Sequence, residues 1–396
     1  PHLPLARLRA RGHLTELRAS DLRFTTSEAA KFLNQMMGLD LSAENIAALE
    51  RRTEGWIAGL QLAALALRGT LAIRERDDAT SLIGSFTGSH RYVLDYLIEE
   101  VIEQQSQDVQ TFLQQTSVLD RLTGPLCDAV TGQDNSQATL EMLDRANLFI
   151  IQLDEERRWY RYHHLFADLL LQRLRQTQPE QLPILHLRAS EWYEQNGFTD
   201  EAIEHALRSQ NFELAVSLIE NVVDVMWGRD KHNMLQRWLD ELPIELVFTK
   251  PHLCIFLARQ LFASGQQDAA ERALQAAEQV LGPNSDLSTQ PALSIQDRVA
   301  WMDRRKLLAR IAATRSTMAS YRSDAFGILP HAHQALMDLS EQDTFWRGSA
   351  TIALGDAYVF QGQYTEAHRT YLEASELIKS LGNPYLSLNV SNRLAL

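Results

Sequence analysis

The chain has 396 residues, of which 45% are apolar and 22% charged, so it can fold into two or three domains with buried cores. Its net charge of −13 argues against nucleic-acid binding along the whole chain, because phosphate contacts need a basic surface. Cys127 and Cys254 are too far apart to suggest a disulfide framework or a zinc site, and no apolar run is long enough for a membrane span, so we expect a cytoplasmic protein.

The first predicted elements are a short strand and helices with clear end signals. Glu16–Phe24 is the best strand candidate, although it is polar and would need strand neighbours from elsewhere. Thr25–Glu28 has the pattern of a capping box, and Gly38 ends the helix that follows it. Ser42 caps the next helix. Thr53–Leu67 is apolar on nearly every face, which predicts a helix inside a domain.

A β-hairpin is predicted in the middle of the chain. Phe149–Leu153 reads as one strand, Asp154–Arg157 as a polar turn and Trp159–Tyr162 as the second strand. Short helices precede the hairpin, and a helix over His163–Leu174 follows it. A hairpin that follows short helices is typical of a winged helix.

Three segments of the C-terminal half share one spacing of small residues. From about residue 183 onward, every segment is predicted to be helical. Counted from starts at 183, 251 and 348, the fifteenth position is always Gly and the twentieth always Ala: Gly197, Gly265 and Gly362, then Ala202, Ala270 and Ala367. Tetratricopeptide repeats, which are helix pairs of about 34 residues, show such a pattern. The Gly permits the turn, and the Ala lets the two helices approach closely.

Several long motifs resemble those of one family. They are Thr53–Leu62 (TEGWIAGLQL), Asn147–Asp154 (NLFIIQLD) and Trp159–Leu170 (WYRYHHLFADLL). In this order they closely resemble the MalT-like large ATP-binding transcriptional regulators of the LuxR type, which are STAND signal-transduction ATPases. The resemblance implies the order P-loop nucleotide-binding domain, helical domain, winged helix, superhelical repeat sensor and C-terminal DNA-binding helix-turn-helix.

The sequence departs from this pattern at both ends. It contains no G-x-x-x-x-G-K-[ST] loop and no basic helix-turn-helix before Leu396, and it begins at Pro1. We therefore expect the middle segment of such a regulator, with no enzyme activity and no cofactor of its own. The resemblance implies that the intact parent binds ATP or ADP, self-associates in its active state and contacts DNA only through its C-terminal domain. No membrane partner is expected.

The expected fold is mostly all-α, with a helical domain and a winged helix followed by a tetratricopeptide-like α-superhelix. The predicted divisions are a remnant of the nucleotide-binding domain (1–25), the helical domain (26–90), the winged-helix domain (91–178), a helical linker with the first repeats (179–250) and the repeat sensor (251–396).

His163 is the leading candidate for a nucleotide contact. Tyr162-His163-His164 resembles the Met-His-Asp motif at the end of the winged helix in STAND proteins, where the His touches the phosphate of bound ADP. Gly55 and Trp56 begin a helix that resembles the adenine-facing segment of STAND helical domains. Packing of a domain core explains the same residues without a nucleotide, so both interpretations stay open here.

Arg157, Arg158 and Arg161 lie on the predicted wing. Such a wing could read DNA, but the adjoining Asp154–Glu156 and the resemblance favour a wing that packs against another domain.

Aromatic residues of the repeats mostly fall at packing positions, whereas Trp301, Tyr321 and Trp346 do not. These three are the candidates for a concave surface that binds a small-molecule or protein effector. His331 and His333 could share a metal ion, but without further ligands a solvated helix edge is the simpler interpretation. No metal or catalytic site is predicted.

The leading functional interpretation is the signal-sensing and regulatory part of a MalT-like regulator. Its winged helix would couple to the nucleotide state, and its helical repeats would bind an effector or partner. The alternative is a stand-alone tetratricopeptide-like scaffold for protein–protein interaction. A helical hydrolase would need a convergent polar site, of which the sequence gives no sign.

Overall fold

The structure, a computed structural model, describes residues 7–8, 11–13, 19–71, 83, 95–228, 232–282, 295–379 and 384–395. The chain divides into two compact units, Pro1–Ser209 and Gln210–Leu396. The division lies inside the range 179–250, which the sequence assigned to a linker and the first repeats. Within the described ranges, no helix is long and apolar enough to cross a membrane.

The first unit begins with helices whose ends match the sequence signals. They are α1 (Thr26–Ala30), continued by a π-helical segment (Lys31–Met36), α2 (Ala43–Thr53) and α3 (Ile57–Leu71). Thr25 and Glu28 form the predicted capping box at α1, since each side chain bonds the other residue's backbone N–H. Ser42 caps α2 as predicted.

Two details of this region differ from the prediction. The described part of Glu16–Phe24 contains a 3-10 helix (Ala19–Leu22) instead of a strand, since no neighbouring strand bonds its backbone there. The helix predicted to start at Thr53 starts at Ile57, because Glu54 and Gly55 adopt left-handed φ values of 49° and 70°. A corner therefore separates α2 from α3.

The rest of the first unit has the predicted arrangement of short helices around a hairpin. Its elements are a π-helical segment (Ile98–Ile102), α4 (Gln107–Thr116), α5 (Gly124–Thr131), α6 (Ser136–Arg145), β1 (Ile150–Gln152), β2 (Tyr160–Tyr162), α7 (His164–Thr177), α8 (Gln181–Gln195) and α9 (Thr199–Arg208). The strands are antiparallel, and Ile151 lies opposite Arg161. Tyr160 and Tyr162 are buried, so the alternation along a strand turns Arg161 toward the other face.

The second unit is a series of helices that pack as hairpins. They are α10 (Phe212–Gly228), α11 (His232–Glu241), α12 (Ile244–Phe248), α13 (Pro251–Ala263), α14 (Gln267–Leu281), α15 (Ile295–Tyr321), α16 (Ala325–Asp338), α17 (Thr344–Phe360), α18 (Tyr364–Lys379) and α19 (Pro384–Leu394). Helices α13 and α14, α15 and α16, and α17 and α18 pack as successive pairs. The predicted class, mostly all-α with helical repeats, is confirmed.

Small residues have the roles in these hairpins that their spacing predicted. Gly265 and Gly362 lie at the turns of two pairs with φ values of 81° and 76°, which residues with a Cβ rarely adopt. A Cβ on Gly355 of α17 would lie 2.4 Å from the ring of Tyr371 in α18. Ala367, near the start of α18, is buried. The close approach of α17 and α18 thus depends on residues without bulky side chains.

Candidate functional site

The corner between α2 and α3 is built from Thr53–Trp56. The backbone N–H of Trp56 donates to the Thr53 carbonyl at 2.8 Å and closes the turn. The Gly55 carbonyl accepts from the N–H of Phe24 at 2.8 Å. A Cβ on Gly55 would lie 2.4 Å from the Phe24 carbonyl oxygen. Gly55 therefore serves a close backbone approach as well as a left-handed turn.

His163 connects this corner to the hairpin. It immediately precedes α7 and is 5% exposed. Its Nε2–H donates to the Thr53 carbonyl at 2.9 Å. A carbonyl can only accept, so the proton of neutral His163 is on Nε2 and Nδ1 is an acceptor. Nδ1 is buried and has no hydrogen-bond partner among the described residues. Burial lowers the pKa of His163, although the nearby Glu54 opposes this effect.

Aromatic rings pack around His163. The Trp56 ring contacts the rings of Phe149 and His163 edge-on, with centroid distances of 5.0 and 6.0 Å. A Cβ on Gly59 would lie 2.6 Å from the Trp56 ring, so this glycine makes room for the indole. The structure thus brings the predicted nucleotide contacts His163, Gly55 and Trp56 together. Their nucleotide role stays a prediction, since a phosphate oxygen can only accept, and Nδ1 could donate to it only if Nδ1 also carried a proton.

An ion pair that the sequence interpretation missed joins the corner to the hairpin. Arg161 donates to both carboxylate oxygens of Glu54, at 2.7 and 2.8 Å. Their side chains are 24% and 8% exposed. Burial by itself would raise the pKa of Glu54, but hydrogen bonds from Arg161 and nearby positive charge lower it to about 2. The carboxylate is therefore ionised at neutral pH.

Arg161 consequently packs inside the chain, whereas Arg157 and Arg158 are exposed. The alternation with the buried Tyr160 and Tyr162 predicts that Arg161 lies on the opposite face of the strand, but it does not predict that this side chain has a partner there. The partner Glu54 lies 107 residues away and carried no comparable signal.

The second unit contains a cavity of about 640 Å³. The first helices of successive hairpins, α13, α15 and α17, line it together with α19 and with the first residues of α11 and α14, His232 and Gln267. On α17 the lining residues recur at helical spacing and form one face: Phe345, Ser349, Ile352, Ala353 and Asp356. A volume of this size lies within the range of small-molecule sites in proteins, about 300–1,000 Å³.

An ion pair is part of the cavity lining. Asp356 is 6% exposed and accepts from Arg393 of α19 at 2.6 and 2.9 Å. It also accepts from Tyr371 at 2.6 Å and from the hydroxyl of Ser320. One carboxylate therefore holds α15, α17, α18 and α19 together.

The predicted effector residues have different positions. Tyr321 lines the cavity, is 55% exposed and packs edge-on against Phe262 at 5.3 Å. Trp346 is 4% exposed and packs against Phe256, so its ring belongs to the core instead of the described lining. Trp301 lies outside that lining, beneath the guanidinium of Arg305.

His331 is half-buried on α16, and His333 is exposed there. In the part of the chain that the structure describes, no group of three or more His, Cys, Asp or Glu could hold a metal ion.

One family model and several known proteins are similar to this chain. A family model, the MalT winged helix domain, matches residues 98–182. Serine/threonine-protein kinase PknK of Mycobacterium tuberculosis is 34% identical over 292 residues, which cover 72% of this chain and 26% of the kinase. The HTH-type transcriptional regulator MalT of Klebsiella pneumoniae is 29% identical over 332 residues, covering 82% of this chain and 36% of the regulator. MalT of Yersinia enterocolitica is 32% identical over 258 residues, with coverages of 65% and 28%.

Among solved structures, a STAND protein with a tetratricopeptide repeat sensor from Pyrococcus horikoshii matches with a TM-score of 0.46. It is 17% identical, and the match covers 94% of this chain and 56% of that chain. The chain spans about a quarter to a third of the length of the curated relatives described above. The resemblance to MalT-like regulators, predicted from the motifs, is confirmed by the winged-helix family model and the MalT relatives.

Proposed function

We propose that this MalT-like chain is the signal-sensing and regulatory region of a transcriptional regulator, in which the helical repeats bind an effector. The cavity of about 640 Å³ in the second unit is the observation that carries the proposal. It lies on the faces of successive first helices, where a repeat array presents a continuous surface to a ligand.

The names of the relatives support a regulatory function. One relative is named a protein kinase and others are named transcriptional regulators, yet each shares much of this region with the chain. A region common to proteins with such different outputs is best suited to receive a signal, while other regions carry the output. We therefore propose that the chain contributes no catalytic residues of its own.

The cluster around His163 is proposed to couple the winged helix to a nucleotide. In this proposal, His163, Gly55 and Trp56 face ATP or ADP held by a P-loop domain of an intact parent protein. The parent self-associates in its active state and contacts DNA through another domain. The ion pair of Glu54 and Arg161 keeps the corner and the hairpin in register for this contact.

The sensing proposal is tested by filling the cavity. Thr317 lines it and is only partly buried, so Thr317→Trp should remove ligand space at little cost in stability. The unmodified chain is screened against small metabolites by thermal denaturation. We expect at least one metabolite to raise the melting temperature of the unmodified chain and to have no effect on Thr317→Trp.

The matched control is His333→Trp, which places the same bulk at an exposed position on α16. This variant should respond to the ligand like the unmodified chain. Hydrogen exchange with bound ligand should also change at Thr53–Trp56 and around His163 if the repeats regulate the winged helix. A screen in which no stabilising compound depends on Thr317 contradicts the sensing proposal.

We also expect the chain by itself to bind ADP only weakly, with a Kd above the micromolar range. Nucleotide phosphates are normally held by several backbone amides and a lysine of a Gly-rich loop, and one histidine cannot replace them. Isothermal titration calorimetry with ADP and Mg²⁺ checks this, with a P-loop ATPase as the positive control. A micromolar Kd would show that the nucleotide site is complete in these residues.

A further inference from the structure

Two threonines of α15 that line the cavity already donate their hydroxyl protons within the helix. Thr314 Oγ1 donates to the carbonyl of Arg310 at 2.9 Å. Thr317 Oγ1 donates to the carbonyl of Ala313 at 3.0 Å. A hydroxyl group has one proton and two lone pairs, so each threonine can still accept a hydrogen bond. Both therefore offer acceptors, and not donors, to a ligand in the cavity.

Ser349 of α17 has a hydroxyl group whose hydrogen bonds are not yet made. It is 5% exposed and lines the cavity, and its Oγ has no hydrogen-bond partner in the described part of the chain. Helices α15 and α17 pack against each other, so Ser349 and the two threonines belong to neighbouring walls. Buried hydroxyls usually have partners, so a ligand that supplies an acceptor oxygen here would satisfy this group.

The charged side chains of the described lining are already engaged within the chain. Asp356 is the only carboxylate in this lining, and each of its oxygens accepts two hydrogen bonds. Two of these four bonds come from Arg393. Arg259 lies over aromatic rings and makes a further interaction within the chain. A charged ligand would have to leave water without an opposite charge reserved for it, which costs free energy, so the lining favours an uncharged ligand.

Much of the remaining lining is apolar. It includes Phe262, Ala263, Ile352, Ala353 and Leu386, and the ring of Phe262 packs edge-on against Tyr321 at 5.3 Å. A ligand with polar groups around its whole rim would place some of them against these side chains without hydrogen-bond partners, at a cost in affinity. The lining therefore suits a ligand that has one polar edge on an apolar body.

We propose that the cavity binds an uncharged primary carboxamide with an apolar body. Its two N–H groups donate to Thr314 and Thr317, its carbonyl oxygen accepts from Ser349, and its body lies against Phe262 and Tyr321. Two acceptors that share one amide nitrogen lie about 5 Å apart when each hydrogen bond is about 2.9 Å long. Side chains three residues apart on a helix are separated by about 5–6 Å at Cβ, which matches this spacing. The inference rests on the proposed effector function and adds the chemical class of the effector.

The test uses the whole chain and a panel of alkyl and aryl primary carboxamides. Each is compared with its methyl ketone, which keeps the shape and the carbonyl but has no N–H, and with the carboxylate and the protonated amine of the same body. Isothermal titration calorimetry gives each Kd. We expect several carboxamides to bind, each at least about fivefold more tightly than its ketone, as the loss of two hydrogen bonds implies. Both charged analogues should bind more weakly than the carboxamide.

Variants assign the binding to the cavity. Thr317→Val removes one acceptor with little change in shape, so it should weaken carboxamide binding about fivefold and leave ketone binding unchanged. Ser349→Ala should weaken the binding of both, because both ligands present a carbonyl acceptor. Thr317→Trp should abolish both.

The matched control is Thr351→Val. Thr351 is a buried threonine of α17 whose hydroxyl donates to the carbonyl of Arg347 at 2.8 Å, and it lies outside the described lining. This variant should bind every ligand like the unmodified chain. Circular dichroism checks that each variant is folded.

The outcomes separate this inference from the function on which it rests. Ketones that bind as tightly as carboxamides, in a manner sensitive to Thr317→Trp, would overturn the carboxamide proposal and retain the effector site. Tighter binding of either charged analogue would overturn it as well. If no compound of the panel shows binding that depends on Thr317, the carboxamide proposal fails, and the metabolite screen decides the effector function separately.

Discussion

Arg161→Ala is expected to lower the free energy of unfolding of the first unit by about 2–4 kcal/mol, because it leaves the buried carboxylate of Glu54 without its main partner. The two side chains share two short hydrogen bonds, and the side chain of Glu54 is 8% exposed. Urea titration measures the loss. Hydrogen exchange should also locate it at Thr53–Trp56 and β2, the two segments that the pair joins.

The hairpin itself offers the control for this experiment. Arg158 pairs with Glu156, but both side chains are largely exposed, at 72% and 67%. Arg158→Ala should therefore cost less than about 1 kcal/mol, as is usual for surface pairs. Arg161→Lys keeps the charge but loses the bidentate geometry, so we expect an intermediate loss. Equal losses for Arg161→Ala and Arg158→Ala would mean that the pair stabilises nothing beyond a surface contact.

Much of the local structure was predictable because its causes are local. The capping box at Thr25 and the turn glycines Gly265 and Gly362 each act within a few residues, so the sequence shows them directly. The hairpin was equally predictable from the sequence, since β1 and β2 are neighbours along the chain. The repeat spacing also predicted the close packing of α17 on α18, which Gly355 makes possible.

The predictions that the structure contradicts depend on contacts with residues far away in the sequence. A polar stretch such as Glu16–Phe24 becomes a strand only beside another strand, and its described part is a 3-10 helix instead. The start of the helix was predicted at Thr53 because the apolar pattern begins there. A helical periodicity does not show that Glu54 has a left-handed φ and forms a corner. An aromatic residue off the repeat positions can still be buried, as Trp346 is, when a helix of another hairpin covers it.

For the candidate sites too, the sequence predicted local motifs but not the contacts between residues that are distant in sequence. Local motifs identified His163 and Trp56, which do lie together in the structure. Their bonding partners could not be derived, since the acceptor of His163 is a backbone carbonyl 110 residues away. The cavity was harder to predict, because its walls come from separate hairpins, and of the three effector candidates only Tyr321 is among its described lining residues. Pairwise contacts between distant helices decide such features, and a single sequence does not contain them.

A second large effect is expected from pH, through the buried histidine pair of α8 and α9. The Nδ1 atoms of His186 and His205 lie 3.0 Å apart, so one ring donates to the other and at least one ring must be neutral. The rings are 8% and 3% exposed. Burial is the main cause that lowers the pKa of both, and the charges of Arg208 and, for His186, Arg175 act in the same direction.

Acid should therefore destabilise the first unit. Both folded-state pKa values lie below the ordinary histidine value of 6.5, so the unfolded chain binds more protons as the pH falls below that value. The stability that depends on this pair is fully present above about pH 6.5. Below that pH, the free energy of unfolding should fall by up to about 1.4 kcal/mol per pH unit for each histidine. Urea titrations between about pH 7.5 and 4.5 cover the range in which an ordinary histidine takes up its proton.

The double variant His186→Leu with His205→Phe removes both titrating rings and keeps an aromatic ring beside Tyr193, which His205 contacts at 5.3 Å. At pH 7.5 we expect it to be less stable than the unmodified chain by about 1 kcal/mol, the usual net value of one hydrogen bond. Below pH 6.5 its stability should decline much less steeply, so that the two curves cross. His368→Gln, which removes an exposed histidine, should leave the slope unchanged. Parallel curves for the unmodified chain and the double variant would mean that other groups, and not this pair, cause the acid sensitivity.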